Sequence, residues 1–307
     1  MSDGTGIPRK RSVLGLCAYP KNTIPVRLPG LNLRVPEKHL NKQRLSLLAI
    51  VLLIAASGVY LFNPAPPQNS LRVAVAANFR PAFEQLRVAF TRRHQVPIES
   101  VYGSTGMLYA QIQNGAPYDV FLAADTTRPR LIQSARKKSH HDTRRFTYAL
   151  GKLVLWAPKA NSPNPQWLEQ QTGKIAMANP ELAPYGAAAQ QCLVNLKLHQ
   201  TVENRTVLGT SVSQVFHFTS SGAAQAGFVA LSQVQEYGAD KGTQWIVPAS
   251  CYDAIEQQVI NIVSEKSKPE VAQFMSFMVS SQAQRIISAS GYGLPQPLAL
   301  SSNQSHD

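Results

Sequence analysis

The 307-residue chain contains three cysteines, seven histidines and 17 acidic residues. No GxSxG, HExxH or CxxC pattern occurs, so the usual sequence signals of a serine hydrolase, a helical zinc peptidase and a redox dithiol are all missing. His140-His141 is the one histidine pair, and it lacks a carboxylate or cysteine at metal-ligand spacing, so it reads as loop. Asp119 and Asp125 flank an apolar stretch, which fits a hinge or a helix cap better than catalysis. The chain reads as a protein that is not an enzyme.

Charge is also scarce: 15% of residues are Asp, Glu, Lys or Arg, against 44% hydrophobic. That balance supports a full core and argues against global disorder. The length implies one large or two medium domains. The formal net charge of +13 is unevenly spread. Residues 1–44 carry nine Lys/Arg against Asp3 and Glu37, a net +7, while the other 263 residues carry 21 against 15, a net +6 spread over about six times the length. No RNA- or DNA-binding motif accompanies the basic residues, so nucleic acid is not an expected partner. The remaining basic cluster, Arg136-Lys137-Lys138 with Arg144 and Arg145, reads as a solvated loop.

Long apolar runs are limited to one, Leu45–Phe62, preceded by Lys38, Lys42 and Arg44. The positive-inside rule leaves the basic, proline-interrupted leader (1–44) in the cytoplasm and exports the rest of the chain. Two readings of 45–62 stay open. It is either a signal peptide whose apolar region precedes the small residues Ala55, Ala56, Ser57 and Gly58, or an uncleaved anchor just long enough to span a bilayer. Residues 63–70, rich in proline, read as a short stiff linker, and 299–307 as a flexible tail. Of the cysteines, Cys17 stays with the leader. Cys192 and Cys251 share an oxidising compartment, as either a disulfide or two separate thiols.

From Leu71 the chain alternates short apolar runs with helical stretches, which predicts an α/β fold with a mostly parallel sheet. Val73–Ala76 is a buried strand, and Asn78 comes almost at once after it. Phe79, Phe83, Leu86 and Phe90 then recur at roughly helical spacing. Ile98–Tyr102 is the next strand, and Gly103-Ser104-Thr105-Gly106 opens another helix. Tyr118–Ala123, Lys174–Ala178, Thr206–Gly209 and Gln225–Leu231 are further strands. His140–Thr147 reads as loop and Leu150–Pro158 as one long strand. Polar or small turns recur where a strand ends and a helix begins, the place where an open α/β sheet binds ligands and where free N–H groups favour an anion. Leu150–Trp156 is a natural crossover between two lobes, with a return near Cys251–Val263. Lobe I comprises 71–149 plus about 251–298, and lobe II 150–250.

In this order, the segments RVAVAANF, YGSTGMLYAQI, GAPYDVFLAAD, LGKLVLWAP, NPELAPYG, GFVALSQV and GYGLP resemble the periplasmic molybdate-binding proteins of ABC transporters, over roughly Leu71–Pro295. The resemblance implies a two-lobed type II periplasmic binding fold with an interlobe cleft, here preceded by the N-terminal hydrophobic helix. It implies capture of molybdate or tungstate in the periplasm, without a further cofactor, for delivery to a membrane permease and its ATPase. The protein is expected to be a monomer, attached to the inner membrane if the N-terminal helix is uncleaved. Carried over to this chain, the ligand contacts are Ala77, Asn78, Ser104, Thr105, Tyr185 and Val212, with the metal held as its oxyanion. A tyrosine used by another branch would fall at Ala230 and is absent. The alternatives are a binding protein for another oxyanion such as sulfate, or a membrane-anchored oxyanion sensor.

The residue types suit that ligand. Molybdate is a dianion with four acceptor oxygens and no proton at neutral pH, so its site should offer donors only: hydroxyls, an amide NH2 and backbone N–H groups. The four turns carry no Asp, Glu, Lys or Arg. Helix N-termini can stabilise a dianion without a full countercharge.

Overall fold

Val73, Ala74 and Val75 are wholly buried at the centre of the first strand, and two sheets of five strands are built outward from such runs. The computed structural model describes residues 69–137, 142–160, 162–238 and 240–296. The leader (1–44), the apolar stretch 45–62, linker residues 63–68, His140-His141 and the tail 299–307 lie outside the described residues. Among the described residues no helix is long and apolar enough to cross a membrane.

The first sheet has the order β2-β1-β3-β10-β4, from Ile98–Gly103, Leu71–Ala76, Val120–Ala123, Ile255–Asn261 and Arg145–Gly151. The second has the order β7-β6-β8-β5-β9, from Thr206–Gly209, Ile175–Ala178, Ala226–Ala230, Leu153–Ala157 and Thr243–Ile246. The chain crosses between them at Lys152, between β4 and β5, and returns over 247–254.

Three sequence expectations are corrected. The sheets are mixed and not mostly parallel: β1 pairs parallel with β2 and β3, but β10 runs antiparallel to β3 and β4, and β5 antiparallel to β8 and β9. The returning chain must enter the first sheet against its direction, and the sequence shows no strand sense. Second, the stretch read as loop up to Thr147 already belongs to β4, because Arg145, Phe146 and Thr147 face Ile260, Val259 and Gln258 of β10. Its half-buried, polar start hides the strand. Third, Leu150–Pro158 is not one strand but the end of β4 and the whole of β5, divided between the two sheets at Lys152.

Helix α1 (Arg80–His94) shows how the sequence sets the packing. Pro81 sits at its start, where no N–H is needed, and the helix closes at Gln95 in the left-handed region. Phe83, Leu86 and Phe90 recur at three- and four-residue steps and are fully buried. Phe90 meets Phe274 edge-on at 5.3 Å and Phe277 at 5.5 Å, both from α9 (Pro269–Met278). Each such ring contributes about 1.5–3 kcal/mol through burial. In the second lobe Trp156 of β5 is fully buried and stacks on Phe216 at 4.9 Å. Phe216 belongs to α7 (Val212–Ser220).

The remaining helices that matter for the site are α2 (Thr105–Gln113), α3 (Thr127–Lys137), α5 (Pro184–Asn195) and α8 (Leu231–Tyr237). Cys192 of α5 is bonded to Cys251, in a short 3-10 turn at Ala249–Cys251. The bond ties the returning chain to α5. Asn195 Nδ2 donates to the Cys251 carbonyl at 2.9 Å, and the Asp253 N–H donates to Gln191 Oε1 at 2.8 Å, which fasten the same segment.

Candidate binding site

Ala77, Asn78, Ser104, Thr105, Tyr185 and Val212 come together around one cavity, joined by Ala76, Ala124, Ala183 and Pro184. Four element starts place them. Ala77 and Asn78 form a 3-10 turn between β1 and α1. Ser104 caps α2 by accepting the Met107 N–H at 3.3 Å, which leaves Thr105 as its first residue. Pro184 opens α5 and puts Tyr185 second. Ser211 caps α7 by accepting the Gln214 N–H, so Val212 is first there. The N–H groups at the first positions of a helix have no partner within it, and those of Thr105, Tyr185 and Val212 find no other partner among the described residues.

The cavity is small, about 10 Å3 measured by the centre of a water-sized sphere, near the lower bound for one water. No charged side chain lines it. Larger surface hollows exist, including one of about 830 Å3 along α1. Convergence of donors, and not size, singles out the small one.

The hydroxyls have a defined polarity. Thr105 Oγ1 accepts the Ala124 N–H at 3.0 Å, Ser104 Oγ accepts the Met107 N–H, and Tyr185 Oη accepts from Gln257 Nε2 at 3.4 Å. Ser104 and Thr105 donate to no other group among the described residues, so their hydrogens are free for a ligand, and the hydroxyl of Tyr185 lies between the cavity it lines and the buried Tyr292 hydroxyl. Burial pushes the Tyr185 hydroxyl well above its ordinary pKa, so it stays protonated.

The structure also enlists residues that the sequence did not single out. Gln257 of β10 is wholly buried, and its Oε1 accepts from Asn78 Nδ2 at 2.9 Å and from the Tyr148 hydroxyl at 3.1 Å. Asn78 Nδ2 also donates to the Tyr292 hydroxyl at 3.2 Å. The Asn78 amide, expected to reach the ligand, is thus engaged inside the protein and braces the turn. Ser232 and Tyr292 both donate to the Asn78 carbonyl, and Ser213 to that of Ala77, which turns the carbonyls of this turn away as acceptors. Tyr148 and Tyr292 are likewise held protonated by burial. Tyr292 lies in the GYG segment, whose resemblance to the family was its sequence signal. For Gln257 there was no such hint, since it is one of four polar residues in the strand IEQQVIN. Ala230, at the head of α8, does not line the cavity.

Asp125 and Arg128 stand beside the cavity and not in it. Asp125 caps the Arg128 N–H and pairs with its guanidinium. Among the described residues no group of three or more His, Cys, Asp or Glu could hold a metal cation.

A family model described as bacterial extracellular solute-binding protein matches residues 71–293. The molybdate-binding protein ModA of Azotobacter vinelandii is 38% identical over 246 residues, which is 79% of this chain and 97% of that protein. ModA of Rhodobacter capsulatus is 35% identical over 222 residues, 71% of this chain and 86% of that protein. Among solved structures, the periplasmic molybdate-binding protein of Azotobacter vinelandii superposes with a TM-score of 0.67 at 41% identity, covering 74% of this chain and all of that one.

Proposed function

Because the chain belongs to the bacterial extracellular solute-binding proteins, in the branch of the molybdate-binding ModA proteins, we propose that it captures molybdate as the substrate-binding component of an ABC importer. The observation that carries this reading is the polarity of Ser104, Thr105 and Tyr185. Each hydroxyl oxygen already accepts a protein N–H, so each has a hydrogen to give. A site of donors without a carboxylate acceptor suits an oxyanion that carries no proton. The helix starts at Thr105, Tyr185 and Val212 supply N–H groups and the positive ends of three helix dipoles. No lysine or arginine lines the cavity, so the ion is held without a full countercharge and can be released.

The ligand sits where the two lobes meet. Ala77 and Thr105 come from the first lobe, Tyr185 and Val212 from the second. The cavity is closed around a space near one water in size, so an oxyanion enters as the lobes part and is enclosed as they close. We extend the ligand to tungstate, which has the same charge, oxygen count and lack of a proton. Capture takes place in the periplasm, and delivery is to a membrane permease driven by its ATPase.

The test is thermal melting of the full chain with molybdate, tungstate, sulfate or phosphate at equal concentration. At about 100 times its dissociation constant a ligand adds roughly 2.7 kcal/mol of stability, a rise of several degrees for a domain of this size. A rise with molybdate and tungstate alone is expected. A rise with sulfate alone replaces the ligand, and no rise with any anion removes the function.

A further inference from the structure

Gln257 stands 72 positions from Tyr185 in sequence and in the opposite lobe, yet its Nε2 lies 3.4 Å from the Tyr185 hydroxyl oxygen. Both atoms crowd the one face of Gly151 where a side chain would otherwise project. A Cβ there would lie 2.4 Å from Tyr185 Oη and 3.0 Å from Gln257 Nε2. The glycine therefore makes room for this contact.

The glutamine cannot simply be turned end for end. Its Oε1 accepts from Asn78 Nδ2, and from the Tyr148 hydroxyl that also reaches the Ala123 carbonyl at 3.3 Å, so Nε2 is the end that faces Tyr185. An amide NH2 donates and cannot accept. Tyr185 must therefore take this bond on its oxygen and direct its own hydrogen elsewhere. Tyr185 lines the cavity.

We infer that Gln257 is a positioning residue that directs the hydroxyl hydrogen of Tyr185 into the cavity, so that the site favours oxyanions carrying no proton. It does so without lining the cavity itself. Ser104 and Thr105 are oriented by backbone N–H groups of their own lobe, whereas Tyr185 is oriented by a side chain of the other lobe. The third donor is consequently set only when the lobes are together, which couples its direction to closure.

The inference rests on the oxyanion reading above, and wild-type binding separates the two. If the wild-type full chain does not bind molybdate, the functional reading fails first. If it binds, molybdate dissociation constants are compared for wild type, Gln257→Met, Tyr185→Phe and the double variant, with a melting curve for each. Each single change is expected to weaken binding about tenfold. The double variant should lose no more than about twofold beyond the weaker single one, because both remove the same directed hydrogen. Fold losses that multiply, or unchanged binding in Gln257→Met, overturn the inference.

Gln257→Glu supplies a second test that does not depend on the first. The donors Asn78 Nδ2 and Tyr148 favour the ionised carboxylate against the cost of burial, and at about pH 9, where it is ionised, it would accept the Tyr185 hydrogen and leave the phenol oxygen to present a lone pair to the cavity. Molybdate and hydrogenphosphate are both dianions there, so repulsion by the new charge affects both. Only hydrogenphosphate has a proton to give to that lone pair. Displacement of bound molybdate by phosphate is expected to show the molybdate-to-phosphate affinity ratio falling at least tenfold. An unchanged ratio overturns the inference.

Discussion

The Gly106 N–H of the first lobe donates to the Leu182 carbonyl of the second at 2.8 Å, a backbone bond made directly across the cleft. Arg128 reinforces it by donating from Nη2 to the neighbouring Glu181 carbonyl at 2.7 Å, while Asp125 holds the guanidinium in place. A Cβ on Gly106 would lie 2.9 Å from the Leu182 oxygen and 3.0 Å from its Cα. These are backbone atoms of the Asn179–Ala183 turn and cannot swing aside as a side-chain tip would. Alanine at 106 gains up to roughly 1 kcal/mol of helix propensity over glycine, yet it blocks the closed cleft. Gly106→Ala is therefore expected to weaken molybdate binding about tenfold or more while leaving the ligand-free melting temperature nearly unchanged. Titration calorimetry beside a melting curve checks it. Wild-type affinity would show that the bond does not govern closure.

Thr105 separates ligand binding from packing in a different way. Its Oγ1 takes the buried Ala124 N–H. Thr105→Ala removes a donor to the ligand and leaves that N–H without a partner, at a cost of about 1–3 kcal/mol. Both affinity and chemical-denaturation stability should fall. Thr105→Ser retains the oxygen and should keep affinity within a few fold. Equal loss in both variants would mean that the methyl group, and not the hydroxyl, matters.

The Cys192–Cys251 bond closes a loop with a sequence separation of 59, which in the chain-entropy account stabilises the fold by about 4 kcal/mol. For a domain of this size that corresponds to roughly 10 °C in melting temperature. Reduction, or Cys192→Ser with Cys251→Ser, should lower the melting temperature on that scale. Asn195 and Gln191 still hold the returning chain to α5. Molybdate affinity at moderate temperature should therefore change little, as parallel titrations of oxidised and reduced protein would show.

Strands made of unbroken apolar residues were legible in the sequence, and so was the turn after each of them. VAVA in β1, VFLA in β3 and IAMA in β6 are buried throughout, and burial on both faces is what an unbroken apolar composition signals. β4 was not legible at its start, since Arg145, Phe146 and Thr147 are only partly buried and are held by pairing with β10. β9 was missed for the same reason: Thr243–Ile246 is an edge strand with every second residue exposed. The six proposed contact residues sit at turns that could be found locally, and they share one cavity. Gln257 could not be found that way. Its role depends on Asn78, 179 positions away, and on Tyr185 in the other lobe. A buried glutamine inside β10 carries no local sign of which hydroxyl it will face.

The pH dependence of binding is set by the groups that the cavity lacks. Its lining has no Asp, Glu, His, Lys or Arg, and Tyr185 is its only titratable side chain. Burial raises Tyr185 well above the ordinary tyrosine value of 10, and its neighbours Tyr148 and Tyr292 rise for the same first reason. A raised tyrosine pKa means that the folded state keeps its proton longer than the unfolded chain does. The associated stability is fully present below about pH 10 and is lost as the pH rises from there towards the folded values. Between about pH 6 and 9 the donors do not change, so the molybdate dissociation constant should be flat there, and stability should decline only on the alkaline side. Titrations at several pH values in one ionic-strength-matched buffer series test this. A dissociation constant that changes tenfold between pH 6 and 8 would mean that a group outside the cavity, with an ordinary pKa near 7, takes part in holding the ion.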